Sequence, residues 1–156
     1  MHQAMRPPFG EPRGSRGAPM KQGLVHLAHG ARDPAWAAPF EAVAARVRIR
    51  APEAVVRLAF LELMQPRLAD VGAELAGLGC TRVDVVPVFL GGGGHVRRDV
   101  PAQLEALRAA HPAIAWTLHD ALGETPRVIA ALADAAIDLA DLGFAPGHHP
   151  LDGLAT

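Results

Sequence analysis

Four short apolar runs alternate along this chain with segments in which apolar residues recur every three or four positions. The runs lie at about residues 23–28, 54–61, 83–90 and 113–118. Continuous apolar runs of this length are typical of buried parallel strands, and the period between them is that of an amphipathic helix. Regular alternation of the two predicts an α/β fold, in which a parallel sheet of about four strands has helices on both faces.

The predicted helices have apolar faces and recognisable ends. Asp33 and Pro34 are typical of a helix start, because an Asp side chain can cap the first turn and Pro suits its first position. Pro52 ends that first helix and Gly79 the second. The apolar faces comprise Trp36, Phe40, Val43 and Val47; Leu68, Val71, Leu75 and Leu78; Val100, Leu104 and Leu107; and Val128, Leu132, Ala135 and Leu139.

Composition limits the classes of protein that this chain can belong to. Its 156 residues, half of them apolar, suffice for one well-buried domain, which we place at residues 20–142. A formal net charge of −1 gives no reason to expect nucleic acid or a charged membrane surface as a partner. The single Cys80 excludes a disulfide framework and a thiolate zinc cluster, and we expect it to be a small buried apolar residue.

The two ends differ in composition from the rest. Residues 1–19 combine scattered arginines with prolines and glycines, which predicts a disordered arm, or a start assigned upstream of the true one at Met20. Residues 143–156 are rich in Pro and Gly and are expected to form a loose tail. No stretch has the apolar length of a membrane helix, and residues 1–19 lack the apolar centre of a signal peptide. We therefore expect a cytoplasmic location and no membrane partner.

Chemically versatile side chains follow three of the predicted strands. His29 and His95 each come just after an apolar run and beside glycine, and Glu62 ends the run between them. Because ligands bind at the carboxyl ends of the strands in open α/β sheets, we expect these side chains to share one edge. Two imidazoles and a carboxylate predict a metal site, an acid–base site, or both.

Three segments around these residues resemble a known family. They are His-Gly-Ala-Arg-Asp-Pro (29–34), Ala-Phe-Leu-Glu-Leu-Met-Gln-Pro (59–66) and Val-Pro-Val-Phe-Leu-Gly-Gly-Gly-Gly-His-Val-Arg-Arg-Asp-Val-Pro (86–101). They are similar to the small, CbiX-like sirohydrochlorin chelatases, which are class II tetrapyrrole chelatases, and the similarity covers about residues 20–140. It implies a single chelatase-like half-domain that inserts cobalt or ferrous iron into sirohydrochlorin, on the route to cobalamin or siroheme. It also implies that His29, Glu62 and His95 handle the metal.

These residue types suit such a reaction on chemical grounds. Imidazole binds Co²⁺ and Fe²⁺, and a carboxylate adds a hard, anionic ligand. Because histidine titrates near neutral pH, His29 or His95 can also accept a pyrrole proton, and the sequence does not decide which one does. The divalent metal is then a substrate, and no permanently bound cofactor is expected.

A flat, carboxylate-bearing macrocycle suggests further contacts. A glycine loop lacks side chains that would block its approach, and arginines can pair with its carboxylates. The residues predicted to bind substrate are Arg32, Gly91, Gly92, Gly93, Gly94, Arg97 and Arg98. Alternatively, the glycines could form an ordinary turn or a phosphate-binding loop. The arginines could simply be solvated surface charges.

The remaining histidines are weaker candidates. We expect His26 to be a core or lining residue within the first strand, and His111 to lie at the surface. His119 ends the fourth strand and is a weak site candidate because it shares the edge of the others. His148 and His149 in the tail could bind metal adventitiously.

The same residues are compatible with two other functions, and they bear on the assembly of the chain. A strand followed by His-Gly also occurs in histidine phosphatases, but those enzymes need an arginine where this chain has Ala28. A carrier that delivers cobalt or nickel would need the same three ligands without a macrocycle cleft. Because one half-domain offers only one wall of such a cleft, the chelatase hypothesis predicts a symmetric homodimer.

Overall fold

The computed structural model describes residues 20–91 and 93–143, and within that range the side chains of His95 and Val96 are not described. The predicted N-terminal arm, the predicted C-terminal tail after Gly143, and the His148–His149 pair lie outside the described residues. Their expected properties therefore stay predictions.

The described chain alternates strands with helices around one parallel sheet. The strand order is β2-β1-β3-β4, and all three pairings are parallel. The predicted α/β fold is therefore confirmed. The strands are β1 (Gln22–Ala28), β2 (Val55–Phe60), β3 (Arg82–Pro87) and β4 (Ala115–Leu118), and the helices are α1 (Ala38–Arg50), α2 (Leu68–Gly77), α3 (Gly94–Ala110) and α4 (Pro126–Leu139), with short 3-10 turns at Pro34–Ala37 and Leu122–Glu124.

The ends of some elements differ from the prediction. Asp33 is a cap as expected, its carboxylate accepting a bond of 2.9 Å from the N–H of Ala35, but it caps the Pro34–Ala37 turn that precedes α1. β3 ends at Pro87, three residues earlier than predicted, although the N–H of Val88 still donates to the Leu27 carbonyl (2.9 Å). The expected loop over Gly91–Gly94 is also too long. Gly94 already belongs to α3, because Gly93 is extended and occupies the N-cap position.

One face of the sheet, which we call the closed face, packs against α2 and α3. Its strand side chains include Val25 and Leu27 on β1 and Val83 and Val85 on β3, all fully buried. The helices contribute Leu68, Val71, Leu75, Val100, Leu104 and Leu107. Cys80 is buried in the same cluster, as predicted. This face holds most of the apolar core.

The other face, which we call the open face, is covered over β1 and β2 by α1 and the turn before it. Here Ala28, Leu58 and Phe60 form a smaller core against Trp36 and Phe40. His26 is also buried on this face, with only 4% of its surface exposed, so the expectation of a core histidine is confirmed. Burial, followed by the charge of Arg48, lowers the pKa of His26.

Over β3 and β4 the open face carries polar groups. Among the described helices, none packs broadly on these two strands from this side. Asp84 is nevertheless buried, because its carboxylate accepts bonds from Gln22 (2.7 Å), Arg82 (3.1 and 3.2 Å) and His119 (2.8 Å). Burial would raise the pKa of Asp84, but the bonds from His119, Arg82 and Gln22 outweigh it and lower that pKa.

A membrane-spanning helix is not found in the described part of the chain.

Candidate active site

His29 and Glu62 lie side by side at the carboxyl edge of the sheet. The ladder between β1 and β2 continues past both strands, with bonds from Leu61 N–H to the Ala28 carbonyl (2.9 Å) and from Glu62 N–H to the His29 carbonyl (3.0 Å). His29 is half-buried and Glu62 is exposed. The structure thus brings the backbones of two of the residues predicted to handle metal into contact at this edge of the sheet.

Glycine at position 30 makes this close pairing possible. Gly30 has a φ of +95°, which side chains other than hydrogen rarely allow. A Cβ atom on residue 30 would also overlap the carbonyl oxygen of Glu62. The segment after His29 therefore packs directly onto the backbone of Glu62.

His95 lies in the first turn of α3, one residue after the helix begins at Gly94. It is therefore a helix residue, eight positions after the end of β3 at Pro87, and not a residue at a strand end as predicted. Among the side chains that the structure describes, no group of three or more potential metal ligands is found. Since the side chain of His95 is outside that set, the predicted triad of His29, Glu62 and His95 stays a prediction.

An apolar cavity of about 490 Å³ adjoins His29. Its walls include Trp36 and Phe40 on one side and Val88 and Phe89 on the other. The imidazole of His29 lies against the Phe89 ring, with 4.2 Å between centroids and a tilt of 30°. The Trp36 and Phe40 rings are 4.5 Å apart. The aromatic wall thus lies directly beside the His29 imidazole.

Sequence reasoning did not predict that wall. It assigned Trp36 and Phe40 to the apolar face of the first helix and Phe89 to a strand. The chain has only two Trp, five Phe and no Tyr, and three of these seven rings meet beside His29. The wall could have been predicted from the sequence, because aromatic residues are scarce in this chain and three of them lie close to His29 or His95 in sequence.

The arginines predicted to bind substrate are at the surface. Arg32 and Arg98 are exposed, and Arg97 forms an exposed ion pair of 3.3 Å with Glu124. Arg97 and Arg98 lie near the start of α3, whose first turn contains no acidic residue. Because the N-terminus of a helix carries partial positive charge, this end of α3 favours anions. Of the predicted glycines, Gly92 lies outside the described residues.

Two other histidines differ from expectation. His119 follows β4 as predicted, but its Nε2 lies 2.8 Å from Asp84 Oδ1 and its side chain belongs to the polar cluster on the open face. His111 caps the end of α3 and is half-buried, with its ring 6.4 Å from that of Trp116, so the expectation of a surface position is wrong in part.

Comparison with protein families gives one match that spans most of the chain. The CbiX family model matches residues 23–139. Among curated proteins, a sirohydrochlorin cobaltochelatase of Methanosarcina acetivorans is 33% identical over 84 residues, which are 54% of this chain and 65% of the relative. A sirohydrochlorin ferrochelatase of Bacillus subtilis is 25% identical over 117 residues, covering 72% of this chain and 43% of that protein. The chain therefore spans less than two thirds of these relatives.

Two solved structures are similar to this fold. A CbiX protein assigned to cobalamin (vitamin B12) biosynthesis, from Marinobacter aquaeolei VT8, has a TM-score of 0.70 and 31% identity, over 78% of this chain and 99% of that one. The sirohydrochlorin chelatase SirB from Bacillus subtilis subspecies spizizenii, in complex with cobalt, has a TM-score of 0.68 and 24% identity, over 78% of this chain and 52% of that one. The second likeness shows the fold alone.

Proposed function

Because the chain belongs to the CbiX family, we propose that it inserts a divalent metal, cobalt or ferrous iron, into sirohydrochlorin. The observation that carries this proposal is the pairing of His29 with Glu62 at one edge of the sheet, beside an aromatic-walled cavity. Relatives named for cobalt and for iron both match the chain. The proposal therefore covers both metals, which bind the same ligand types.

Metal insertion needs a site that holds the ion and then releases it. We assign the metal-binding role to His29, Glu62 and His95. A half-buried imidazole and an exposed carboxylate suit transfer better than storage, because neither ligand encloses the ion. The absence of a thiolate among the assigned ligands also favours transfer, because soft sulfur ligands would hold these metals too tightly to release them.

Proton removal is the second requirement. When a divalent metal ion enters the macrocycle, two pyrrole N–H protons must leave. The net charge of the macrocycle with its metal then equals that of the free macrocycle. An imidazole is a suitable acceptor because its pKa is near the working pH. His29 and His95 are the two candidates. The contact between the His29 ring and Phe89 holds one of them in a defined orientation at the cavity.

The aromatic cavity and the start of α3 supply the substrate contacts in this proposal. Trp36, Phe40 and Phe89 offer flat apolar surface to the ring system. Arg97 and Arg98, together with the positive end of the α3 dipole, suit the carboxylates around its rim. A carrier that only delivers cobalt or nickel would need no such wall, and the cavity therefore favours the chelatase.

The proposal includes a homodimer, in which a second copy supplies the opposite wall of the macrocycle cleft. Its support is the coverage of the larger relatives: this chain matches 43% of the Bacillus ferrochelatase and 52% of the SirB chain. Two copies would thus provide what one longer chain holds. A cytoplasmic location also stays part of the proposal, since the chain has a single, buried cysteine.

The test of the activity is anaerobic insertion of Co²⁺ and Fe²⁺ into sirohydrochlorin, followed by absorbance. His29→Ala should reduce enzyme-dependent insertion to the spontaneous rate while leaving the melting temperature close to that of the unaltered chain. His111→Ala, a half-buried histidine away from the cavity, is the matched control. Near-normal turnover by the His29 variant would contradict the assigned role.

Glu62→Gln separates metal binding from macrocycle binding. It keeps the size of the side chain and removes the anion, so Co²⁺ affinity measured by calorimetry should fall at least about 10-fold. Sirohydrochlorin affinity, measured by quenching of tryptophan fluorescence, should change little. The control is Glu53→Gln, an exposed glutamate at the opposite edge of the sheet. Unchanged Co²⁺ affinity with weakened macrocycle binding would make Glu62 a substrate-positioning residue instead.

A further inference from the structure

The segment that follows β3 forms one side of the cavity beside His29. Phe89, Leu90 and Gly91 all line that cavity, and we call these three residues the wall segment. The Phe89 ring contacts the His29 imidazole, with 4.2 Å between the ring centroids. Any displacement of the wall segment therefore changes both the width of the cavity and the contact with His29.

The wall segment has few backbone bonds to the rest of the described chain. Just before it, the N–H of Val88 donates to the Leu27 carbonyl (2.9 Å) and continues the pairing of β3 with β1. After Val88, the next backbone bond in the described part of the chain is donated by the N–H of Gly123 to the Phe89 carbonyl (2.8 Å). The Leu90 side chain is 72% exposed and holds the segment little. Besides the buried Phe89 ring, the contact with Gly123 therefore sets the position of the wall segment.

Gly123 lies directly against the backbone of Leu90. A Cβ atom on residue 123 would overlap the carbonyl oxygen, the Cα and the carbonyl carbon of Leu90. Overlap with the end of a flexible side chain can be relieved by rotation, but overlap with backbone atoms cannot. Any side chain at position 123 would therefore displace either the wall segment or the turn that carries Gly123, residues Leu122–Glu124.

The turn is the better anchored of the two. Immediately before it, Ala121 is buried in the core of the closed face. Immediately after it, Thr125 donates to the Leu122 carbonyl through its hydroxyl (2.7 Å) and its N–H (3.0 Å). The wall segment, with an exposed Leu90, is the side that would move. The turn follows β4 and the cavity adjoins the end of β1, with the end of β3 between them in the sheet, so the movement would narrow the cavity.

We propose that Gly123 is a positioning residue for the macrocycle. Because it has no side chain, the turn can approach Leu90 closely and hold the wall segment where Phe89 contacts His29. Gly123 is not among the residues that line the cavity, so its effect passes through the wall segment. The proposal rests on the chelatase function proposed above and adds to it a residue, distant in sequence from the metal-binding segments, on which the fit of the macrocycle depends.

The test is Gly123→Ala, compared with Gly77→Ala at the end of α2, where an added Cβ meets open space. In the free protein, proton NMR reports the contact between the His29 and Phe89 rings as a ring-current shift, and the His29 signal is assigned from its loss in His29→Ala. The spectra are recorded at a pH of about 8.5, above the ordinary range of histidine titration. Gly123→Ala should shift the His29 signal, and Gly77→Ala should leave it in place.

The second measurement is the dissociation constant of sirohydrochlorin, obtained from quenching of tryptophan fluorescence. In Gly123→Ala it should rise about 2- to 10-fold, as for the loss of one aromatic contact. In Gly77→Ala it should not change. Should Gly123→Ala fail to fold, Thr125→Val replaces it, because it removes the hydroxyl bond that holds the turn. That variant should change both measurements in the same direction by a smaller amount, and no change in either would overturn the proposal.

Two results with a folded Gly123→Ala protein would also overturn it. An unchanged His29 signal, even with a lowered melting temperature, would make Gly123 a structural residue only. A shifted signal with unchanged sirohydrochlorin affinity would show that macrocycle binding does not depend on the wall segment. If the unaltered chain binds no sirohydrochlorin, the chelatase function fails, whereas the His29 signal still decides whether Gly123 sets the position of Phe89.

Discussion

The two faces of this sheet are made by alternate residues of the same strands, yet they have different composition and covering. The closed face is continuously apolar and packs against two helices. The open face has one helix over half its width, buries His26 and Asp84, and leaves apolar side chains partly exposed. The comparison indicates that one face supplies most of the stability, which leaves the other free to carry polar groups and a cavity.

The largest expected difference is between two leucines of β1 that point to opposite faces. Leu27 is fully buried on the closed face, so Leu27→Ala should lower the free energy of unfolding by about 2–5 kcal/mol. Leu24 is half-buried on the open face, and Leu24→Ala should cost about 1 kcal/mol. Urea unfolding of both variants measures the difference. Equal losses would show that the two faces contribute equally to stability, contrary to this expectation.

Asp84 is an exception on the open face, because its polar contacts there contribute to stability. Asp84→Asn removes the charge that Arg82 and His119 bind, and should cost about 1–3 kcal/mol. Because the pKa of Asp84 is lowered in the folded chain, its contribution is present above the unfolded pKa of about 4 and is lost as pH falls further. Thermal melts at pH 7 and pH 3 should therefore show the variant converging on the unaltered chain. Asp120→Asn, an exposed neighbour, serves as control.

The two faces also differ in how well the sequence predicts their structure. The closed face follows from local pattern, because strands buried by helices are apolar and the helices above them have a period near 3.6. Of the residues expected on the core faces of these two helices, six are buried, namely Leu68, Val71, Leu75, Val100, Leu104 and Leu107, whereas Leu78 at the end of α2 is 40% exposed. The positions of His29 and Glu62 also follow, because strand ends in a parallel sheet share an edge.

The open face was less predictable because its partners are distant in sequence. Nothing near Asp84 indicates that Gln22 and His119 lie within reach of it. The apolar face of α4 predicted a helix correctly, but periodicity does not say whether the partner is the chain's own sheet or another molecule. The start of α3 was misjudged for a local reason: a run of glycines favours a loop, yet an extended Gly93 serves equally well as the N-cap of a helix.

Trp36→Leu should affect the cavity without affecting the closed face. Loss of one aromatic wall should weaken sirohydrochlorin binding about 2- to 10-fold. The melting temperature should change little, because Trp36 is only half-buried. Binding is measured from the absorbance of the macrocycle, since the variant loses a fluorophore. Ile49→Ala, 80% exposed on α1, is the control. Normal affinity in the Trp36 variant would place the macrocycle elsewhere.

The smallest expected effect concerns His26. Its Nδ1 is buried without a hydrogen-bond partner among the described residues, and its pKa is lowered below the ordinary value of about 6.5. Below that pH the unfolded chain takes up a proton that the folded chain does not, so stability should fall as pH falls. His26→Leu should make the stability less dependent on pH between 7 and 5. Identical pH slopes in urea unfolding would show that His26 accepts a proton while buried.

The packing of Gly30 against the carbonyl of Glu62 limits how the proposed metal site can change shape. The two segments that carry His29 and Glu62 share a backbone bond and leave no room between them, so neither can swing away without breaking the contact. Any change in the distance between their donor atoms must then come from rotation about side-chain bonds. Because the half-buried His29 ring lies against Phe89, that rotation falls mainly to the exposed Glu62. In the proposed metal site, the carboxylate would therefore be the ligand that moves with the ion while the imidazole stays in place.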